Sequence, residues 1–256
     1  MTLPPGYEER SAGEVVAFAW RSAAPWLESV IAGGDSMYAW AADREEAKAL
    51  VGRGAVHAID SPAAGPEKRR GWAVRRYHRG GLIAPLLGDR YLRARPTRPI
   101  RELWATVEAR ARGVPSPAVV AGAVYPAGPF YRADLATELI PDARTLDAIM
   151  FGTGGTPDAS PVLRRAGQLV RILEDALVLH VDLNAANVIL IRGDQDAGAR
   201  VVDLDGCVVF PLGSRAFGNA MRRRLERSLR KLARRHGREI TTAEWEALRG
   251  GYEENA

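Results

Sequence analysis

The amino-acid sequence predicts an α+β protein with two lobes, and two observations support this class. The first half of the chain is a series of short strand patterns with one amphipathic helix, and the second half consists mainly of helices around a short hairpin. The length of 256 residues lies between one and two domains, and 46% hydrophobic residues can form a real core. We therefore expect a β-rich N-lobe with one helix over 1–138 and a small helical C-lobe over 139–256.

Three strands are predicted in the first third of the chain. Apolar stretches on both sides of Gly52-Arg53-Gly54 indicate two strands joined by a glycine turn. A polar loop at 61–70 leads into a third strand at 72–78. Because strand side chains alternate between two faces, one face of this strand carries Ala73, Arg75 and Tyr77.

One helix and two further strands complete the predicted N-lobe. Apolar residues recur at helical spacing over 98–112, and Gly113 and Pro115 follow as stop signals. Strand patterns over 119–125 and 130–140 flank a turn of proline and glycine.

The predicted C-lobe is mainly helical. Helices are expected over 143–150 and 161–177, and two short strands over 188–191 and 200–204. Two amphipathic stretches close the chain, and the first of them, 221–238, is strongly basic.

Composition restricts the class of protein and its compartment. The formal net charge of +5 is compatible with an anionic partner, and only three of the 36 basic residues are lysines: Lys48, Lys68 and Lys231. A single cysteine excludes an internal disulfide framework and a multi-cysteine zinc site, and it fits a reducing compartment. The sequence shows no secretory signal and no apolar run of about 18 residues. We expect the protein on the cytoplasmic side.

Three polar residues in the stretch 178–209 carry the chemical prediction. Asp182 precedes Asn187 by five residues, and Asp203 follows sixteen residues later at the end of a strand. Carboxylates in apolar surroundings are costly unless they are paired or bind a metal. Phosphoryl transfer needs a carboxylate that orients and deprotonates a hydroxyl, and oxygen ligands that hold Mg²⁺. The alternative is that these residues only cap turns or end a strand.

The sequence around these residues resembles a known family. His180 to Asn187, read as HVDLNAAN, and Asp203 to Gly206, read as DLDG, are similar to the catalytic loop and metal-binding turn of the protein-kinase-like fold. They depart from it by Val181 for arginine and by Leu-Asp for Phe-Gly. The combination more closely resembles the bacterial lipopolysaccharide kinases, in particular the 3-deoxy-D-manno-octulosonic acid (Kdo) kinase family. The stretches 76–91 and 130–140 are also similar to that family, and the resemblance covers roughly 51–252.

The resemblance implies a two-lobed protein-kinase-like fold with ATP in the cleft between the lobes. It also implies transfer of the ATP γ-phosphoryl group to the Kdo sugar, at its 4-hydroxyl, on a Kdo-lipid A precursor in lipopolysaccharide core biosynthesis. Asp182 would be the catalytic base, and Asn187 and Asp203 would bind Mg²⁺. His180 is expected to hold the loop by hydrogen bonding rather than to take part in the chemistry.

On the nucleotide side, the resemblance implies a strand residue that contacts the phosphates. The kinase pattern has a lysine there, paired with a helix glutamate, whereas this strand carries Arg75. Arginine keeps the charge but differs from lysine in reach and geometry. Glu102 is the expected ion-pair partner of Arg75, and the alternative is that Glu102 and Glu108 are both ordinary surface charges.

The remaining nucleotide contacts follow from the same resemblance. Gly52 and Gly54 resemble a shortened glycine loop over the phosphates, although an ordinary hairpin turn fits them equally. Ala73 would lie against the adenine. Glu138 and Ile140 fall in the expected hinge, whose backbone groups would bind adenine.

The basic stretch 221–238 indicates where an anionic partner would bind. It carries nine Arg and Lys residues against one acid, Glu226, and it has an apolar stripe. Attraction to anionic lipid headgroups would make the protein peripheral on the cytoplasmic face of the inner membrane. A packed helix with a solvated face is the alternative. No recognition motif for nucleic acid accompanies the charge, and no stable protein partner is expected.

Two other functions remain open at this point. The chain could be another sugar or small-molecule kinase of the same fold, of the heptose or aminoglycoside type. It could also be a non-catalytic, kinase-shaped binding protein, because the strand lysine is missing and Leu-Asp replaces Phe-Gly.

Overall fold

The computed structural model describes residues 2–44, 47–50, 56–78, 89–92, 96–153, 158–191, 198–214 and 219–254, except for the side chains of 48–50. The chain forms two compact units. The first contains Met1–Val107 and Pro117–Leu139, and the second contains Glu108–Ser116 and Ile140–Ala256.

The predicted single boundary after residue 138 is therefore wrong for residues 108–116. Long-range hydrogen bonds hold this segment in the second unit. The Arg112 guanidinium donates to the carbonyls of Ala176 and Phe210 at 3.1 and 2.7 Å. The Pro115 carbonyl accepts from the backbone N–H of Val201 at 2.9 Å. These partners are far away in the chain, so local sequence patterns do not reveal them.

The first unit is built on an antiparallel sheet of eight strands. Their order is β1-β2-β7-β8-β5-β4-β3, and β6 pairs with β8. The strands are β1 Tyr7–Ala12, β2 Val15–Trp20, β3 Lys48–Leu50, β4 Val56–Asp60, β5 Gly71–Arg76, β6 Tyr91–Leu92, β7 Val119–Ala127 and β8 Phe130–Glu138. The predicted strands on both sides of residues 52–54 are confirmed as β3 and β4, while Gly52 and Gly54 lie outside the described residues.

The described part of the first unit holds three α-helices where the sequence predicted one. They are α1 Ala24–Ala32, α2 Met37–Ala42 and α3 Arg98–Ala111. Helix α3 is the predicted helix. The other two contain nine and six residues and are rich in alanine and tryptophan, so they show too few turns for a clear apolar period.

Strand β5 separates two apolar clusters of the first unit. Trp72 and Val74 are buried in the cluster that also includes Leu27 of α1 and Met37 of α2. Arg75 and the following Tyr77 face the other side, where Tyr77 packs in a cluster with Leu103 of α3. The predicted alternation of side chains along this strand is therefore confirmed.

The second unit combines two small sheets with four helices in its described part. One sheet has the order β12-β11-β9 and the other pairs β10 with β13. The strands are β9 Ala143–Thr145, β10 Val178–Leu179, β11 Val188–Ile191, β12 Arg200–Val201 and β13 Val208–Val209. The helices are α4 Leu146–Phe151, α5 Ser160–Asp175, α6 Ala220–His236 and α7 Thr242–Glu253. Within the described residues, no helix combines the length and the apolar character needed to cross a membrane.

The helix predicted over 143–150 begins later than expected. Its first three residues form β9, because they pair with β11 from Ile189 to Ile191. A strand partner more than forty residues away overrides the local helical pattern. Only the remainder of the segment is helical, as α4.

Helices α5 and α7 approach each other closely through glycines. A methyl group on Gly251 would lie 2.0 Å from the carbonyl oxygen of Arg164, and one on Gly167 would lie 2.1 Å from that of Leu248. Helix α7 begins with a capping box, in which Thr241 and Glu244 satisfy each other's backbone N–H groups. These contacts fix the helices that support the polar loops of the second unit.

Candidate active site

The loop after β10 presents Asp182 to solvent. The flanking Leu183 and Ala185 are buried and anchor the loop, whereas the Asp182 side chain is exposed. The amide nitrogens of Asn184 and Asn187 both donate to the backbone carbonyl of Asp182, at 2.8 and 3.0 Å. The two asparagines of the D-L-N-x-x-N pattern therefore fix the backbone at the aspartate, and neither of these hydrogen bonds uses its carboxylate.

His180 anchors this loop on its buried side. Its ring is buried, and Nε2 lies 3.2 Å from the carbonyl oxygen of Val202. Burial lowers the pKa of His180, so the ring is neutral at pH 7, and Nε2–H donates to that carbonyl. The predicted role of His180, holding the loop by hydrogen bonding, is confirmed.

Asp203 lies in a tight turn beside the same loop. The backbone N–H of Val202 donates to the carbonyl of Asn187 at 3.0 Å, which ties the turn to the catalytic loop. Asp203 has φ +63° and Gly206 has φ +79°, so the chain reverses sharply here. Leu204 is buried and supplies the apolar anchor of the turn. The structure thus brings Asp182, Asn187 and Asp203 into one hydrogen-bonded segment of the second unit.

The donor atoms of this segment suit a hard cation. The amide nitrogen of Asn187 is bonded to the Asp182 carbonyl, so the amide oxygen is the atom left to bind a ligand. Asn187 as a residue is only 9% exposed, so its side chain has little freedom to turn away from this position. Among the described residues, no group of three or more His, Cys, Asp or Glu residues could hold a metal. The candidate donors are the amide oxygen of Asn187 and the carboxylate of Asp203, and Mg²⁺ prefers oxygen ligands of this type.

In the first unit, Arg75 and Glu102 form the predicted ion pair. Nη2 of Arg75 lies 2.7 Å from both carboxylate oxygens of Glu102, and the Tyr77 hydroxyl donates to the same carboxylate at 2.6 Å. Glu102 is 3% exposed and Arg75 is 23% exposed. The alternative of an ordinary surface charge is wrong for Glu102, whereas Glu108 is exposed and pairs with Arg112 one turn later. Sequence reasoning did not assign a role to Tyr77, although strand alternation already placed it on the face of Arg75.

The end of β8 uses Glu138 in a way that the sequence did not predict. Its carboxylate accepts from the backbone N–H groups of Glu67 and Arg69, at 2.8 and 3.5 Å. Its own N–H donates to the carbonyl of Ala118 at 2.9 Å, and its second carboxylate oxygen, Oε2, is buried without a hydrogen-bond partner among the described residues. Burial raises the pKa of Glu138. Glu138 therefore organises the polar loop before β5, and its contact with adenine through backbone groups stays a prediction.

The other predicted nucleotide residues are divided between the units. Ala73 is half-buried on β5 beside Arg75, and Ile140 is buried at the start of the second unit. Gly52 and Gly54 lie outside the described residues. The roles of these residues toward a nucleotide stay predictions.

A second buried carboxylate was missed by sequence reasoning. Asp134 on β8 is fully buried, and it accepts from Nε of Arg76 at 3.2 Å and from the backbone N–H of Tyr38 at 3.0 Å. Burial raises the pKa of Asp134, and the contacts with Tyr38 and Arg76 oppose that shift. This pair holds α2 against the sheet, on the face of β5 opposite to Arg75.

Comparison with known proteins places the chain among bacterial kinases. The model of the lipopolysaccharide kinase (Kdo/WaaP) family matches residues 62–252. The 3-deoxy-D-manno-octulosonic acid kinase of Vibrio cholerae is 34% identical over 161 residues, which span 62% of this chain and 65% of that relative. The enzyme of the same name from Haemophilus influenzae strain 86-028NP is 32% identical over 187 residues, with 70% and 74% covered.

A solved structure has the same overall fold. It is described as WaaP in complex with acyl carrier protein, and it aligns with a TM-score of 0.51 at 14% sequence identity. The alignment covers 90% of this chain and 86% of that chain. The shared fold agrees with the fold predicted from the sequence.

Proposed function

Because the chain belongs to the lipopolysaccharide kinase (Kdo/WaaP) family, we propose that it phosphorylates a Kdo sugar with ATP in lipopolysaccharide core biosynthesis. The observation that carries this proposal is the exposed Asp182, whose backbone carbonyl is held by Asn184 and Asn187, in a chain similar to Kdo kinases over most of its length. The family resemblance favours the 4-hydroxyl of Kdo on a lipid A precursor as the acceptor.

In this proposal, Asp182 acts on the acceptor hydroxyl. Its carboxylate accepts the proton while the hydroxyl oxygen forms a bond to the γ-phosphorus, and the bond between that phosphorus and the bridging oxygen to the β-phosphate breaks. The products are the phosphorylated sugar and ADP. Since Asp182 is exposed and its backbone is fixed by two asparagines, the carboxylate can reach a bulky glycolipid acceptor without a large loop movement.

Asn187 and Asp203 are the residues that would hold Mg²⁺. The metal, when bound, neutralises charge on the phosphate oxygens. Asn187 is oriented for this role because its amide nitrogen is already committed to the Asp182 carbonyl. Asp203 is oriented by the turn that buries Leu204.

Arg75 would contact the nucleotide phosphates in place of the usual lysine. Glu102 holds the guanidinium through Nη2, and the Tyr77 ring lies 4.7 Å from its carbon centre. A guanidinium has five N–H donors, so it can serve both a carboxylate and a phosphate oxygen. The side chain also remains 23% exposed, which leaves part of it accessible.

We further propose that the protein acts as a peripheral protein at the cytoplasmic face of the inner membrane. A lipid A precursor is anchored by its acyl chains, and an enzyme that modifies its sugar has to work at the bilayer surface. The cationic character of α6 supports this location.

The decisive experiment measures transfer of labelled phosphate from ATP, with Mg²⁺ present, to Kdo-lipid A. We expect transfer by the wild type and a loss of about 10²-fold to 10⁴-fold for Asp182→Asn. Asp175→Asn is the matched control, since it also neutralises one exposed aspartate of the second unit. No transfer by the wild type, or nearly normal transfer by Asp182→Asn, would contradict the proposal. A panel that includes heptose and aminoglycoside acceptors would reveal another kinase activity.

A further inference from the structure

One face of α6 carries seven exposed basic side chains and no acid. The helix rotates about 100° per residue, so these seven lie within an arc of about 140°. They also extend over about 18 Å of helix length, at a rise of about 1.5 Å per residue. We call this surface the arginine face, and it consists of Arg223, Arg224, Arg227, Arg230, Lys231, Arg234 and Arg235.

Most of the charge of this face is not neutralised by ion pairs within the described residues. The one acid of the helix, Glu226, lies beside the face and pairs with Arg222 at 2.8 Å and with Arg230 at 3.2 Å. The other six basic residues of the arginine face have no ion pair or hydrogen bond among the described residues. Such clustering of like charges is unfavourable unless counterions or an anionic partner compensate it.

The same helix supports the catalytic loop. The backbone N–H of Ala185 donates to Oγ of Ser228 at 3.2 Å, and the backbone N–H of His180 contacts the sulfur of Met221 at 3.4 Å. Ser228 follows Arg224 by one turn and precedes Arg235 by two turns, so it lies at the border of the arginine face. A partner bound to this face is therefore adjacent to the loop that carries Asp182.

We propose that the arginine face docks the protein on a bilayer that is rich in anionic phosphate headgroups. The membrane-anchored acceptor is taken from the proposed function, and the new element is the surface that binds the bilayer. Guanidinium groups bind phosphate oxygens in a bidentate manner, and six of the seven residues are arginines. Docking through α6 would hold the catalytic loop next to the headgroup layer, where the acceptor sugar lies.

Two features favour a membrane over a nucleic acid. None of the seven residues of the arginine face is aromatic, and the Trp245 ring beside it already has the Arg230 guanidinium 4.8 Å from its centre, so that ring face is not free for base stacking. Leu212, which precedes α6 in the chain, is 81% exposed, and an exposed leucine is an apolar side chain of the kind that inserts between headgroups. Charge together with an apolar contact is the usual combination in peripheral membrane binding.

The test measures binding of the full chain to vesicles in the absence of nucleotide and of any Kdo lipid. Vesicles of phosphatidylcholine with phosphatidylglycerol are compared with vesicles of phosphatidylcholine alone, at about 0.1 M salt. We expect binding only to the anionic vesicles, and we expect Arg227→Gln with Arg234→Gln to weaken it on the order of 30-fold, since each basic residue near the surface contributes roughly fivefold.

The matched control is Arg70→Gln with Arg249→Gln, which removes the same charge from exposed arginines outside α6. We expect this control to bind like the wild type, within about twofold on the same per-residue scale. The inference is overturned if the wild type ignores anionic vesicles, or if both double variants lose affinity equally. Tighter binding of the wild type to an oligonucleotide than to the vesicles would also overturn it.

A second assay separates this inference from the proposed function. Phosphate transfer to a water-soluble Kdo sugar needs no membrane, and the arginine face is not part of the catalytic machinery, so the Arg227→Gln, Arg234→Gln variant should keep that transfer. Vesicle binding by a protein that phosphorylates no Kdo acceptor would overturn the proposed function and leave the docking surface standing. Loss of the soluble transfer in this folded variant would contradict the assignment of the face to docking alone.

Discussion

The ion pair between Arg75 and Glu102 allows a quantitative test of the first unit. The buried Glu102 carboxylate accepts two hydrogen bonds from Arg75 and one from Tyr77. Arg75→Leu removes both hydrogen bonds from the arginine and keeps the one from Tyr77. Removing one partner of a buried pair costs about 3–5 kcal/mol, and the partial exposure of Arg75 places the expected loss near the lower value, about 3 kcal/mol.

Glu102→Leu should cost less, about 2 kcal/mol, because the freed Arg75 can turn toward water. If the pair acts as a unit, the double variant should lose about 3 kcal/mol rather than the sum of the two single losses. The coupling energy is then about 2 kcal/mol.

The assay is urea unfolding followed by tryptophan fluorescence. Five of the six tryptophans, all except Trp245, lie in the first unit, so the signal reports mainly on that unit. If the stability losses of the two single variants sum to the loss of the double variant to within about 0.5 kcal/mol, the reasoning is refuted. They would show that the carboxylate is solvated independently of the arginine.

Three further predictions concern other contacts. Gly251→Ala should destabilise the second unit by about 1–3 kcal/mol in urea unfolding, because its methyl group would collide with the Arg164 carbonyl. The control Gly250→Ala has space for the methyl group and should stabilise the helix by about 0.5–1 kcal/mol. Equal effects of the two variants would be contrary evidence. Burial raises the pKa of Glu244, but hydrogen bonds from Thr241, Ala159 and Arg238 outweigh it and lower the pKa below its ordinary value. The ionised carboxylate therefore stabilises the protein at pH 7, and this stabilisation is lost as the pH falls below about 5. Glu244→Gln should reduce the dependence of the unfolding free energy on pH in this range, and an unchanged dependence would contradict the assignment. Arg75→Lys should raise the KM for ATP about tenfold with a smaller change in kcat, and an unchanged KM in steady-state assays would remove Arg75 from the nucleotide site.

The catalytic loop was predictable because its information is local. The spacing of Asp182, Asn184 and Asn187 fits a turn in which both amides reach one carbonyl, and a motif of eight residues contains all of these groups. The alternation along β5 is equally local, so the shared face of Arg75 and Tyr77 follows from the period of a strand. Glu102 could be proposed as the partner of Arg75 because the family resemblance supplied the long-range link.

The sequence by itself determined the class of the protein, the order of most strands and helices, and the residues of the catalytic loop and of the basic helix. The tertiary structure decided which segments pair across long distances. Residues 143–145 became a strand because β11 offered hydrogen bonds, and 108–116 joined the second unit through the contacts of Arg112 and Pro115. The Glu138 carboxylate accepts a hydrogen bond from the backbone of a loop about seventy residues earlier in the chain. Helix α6 accepts a hydrogen bond from the loop around Asp182 through Ser228. Such pairings depend on which groups meet in the folded chain, because their hydrogen bonds and burial stabilise the protein only after folding has brought distant residues together.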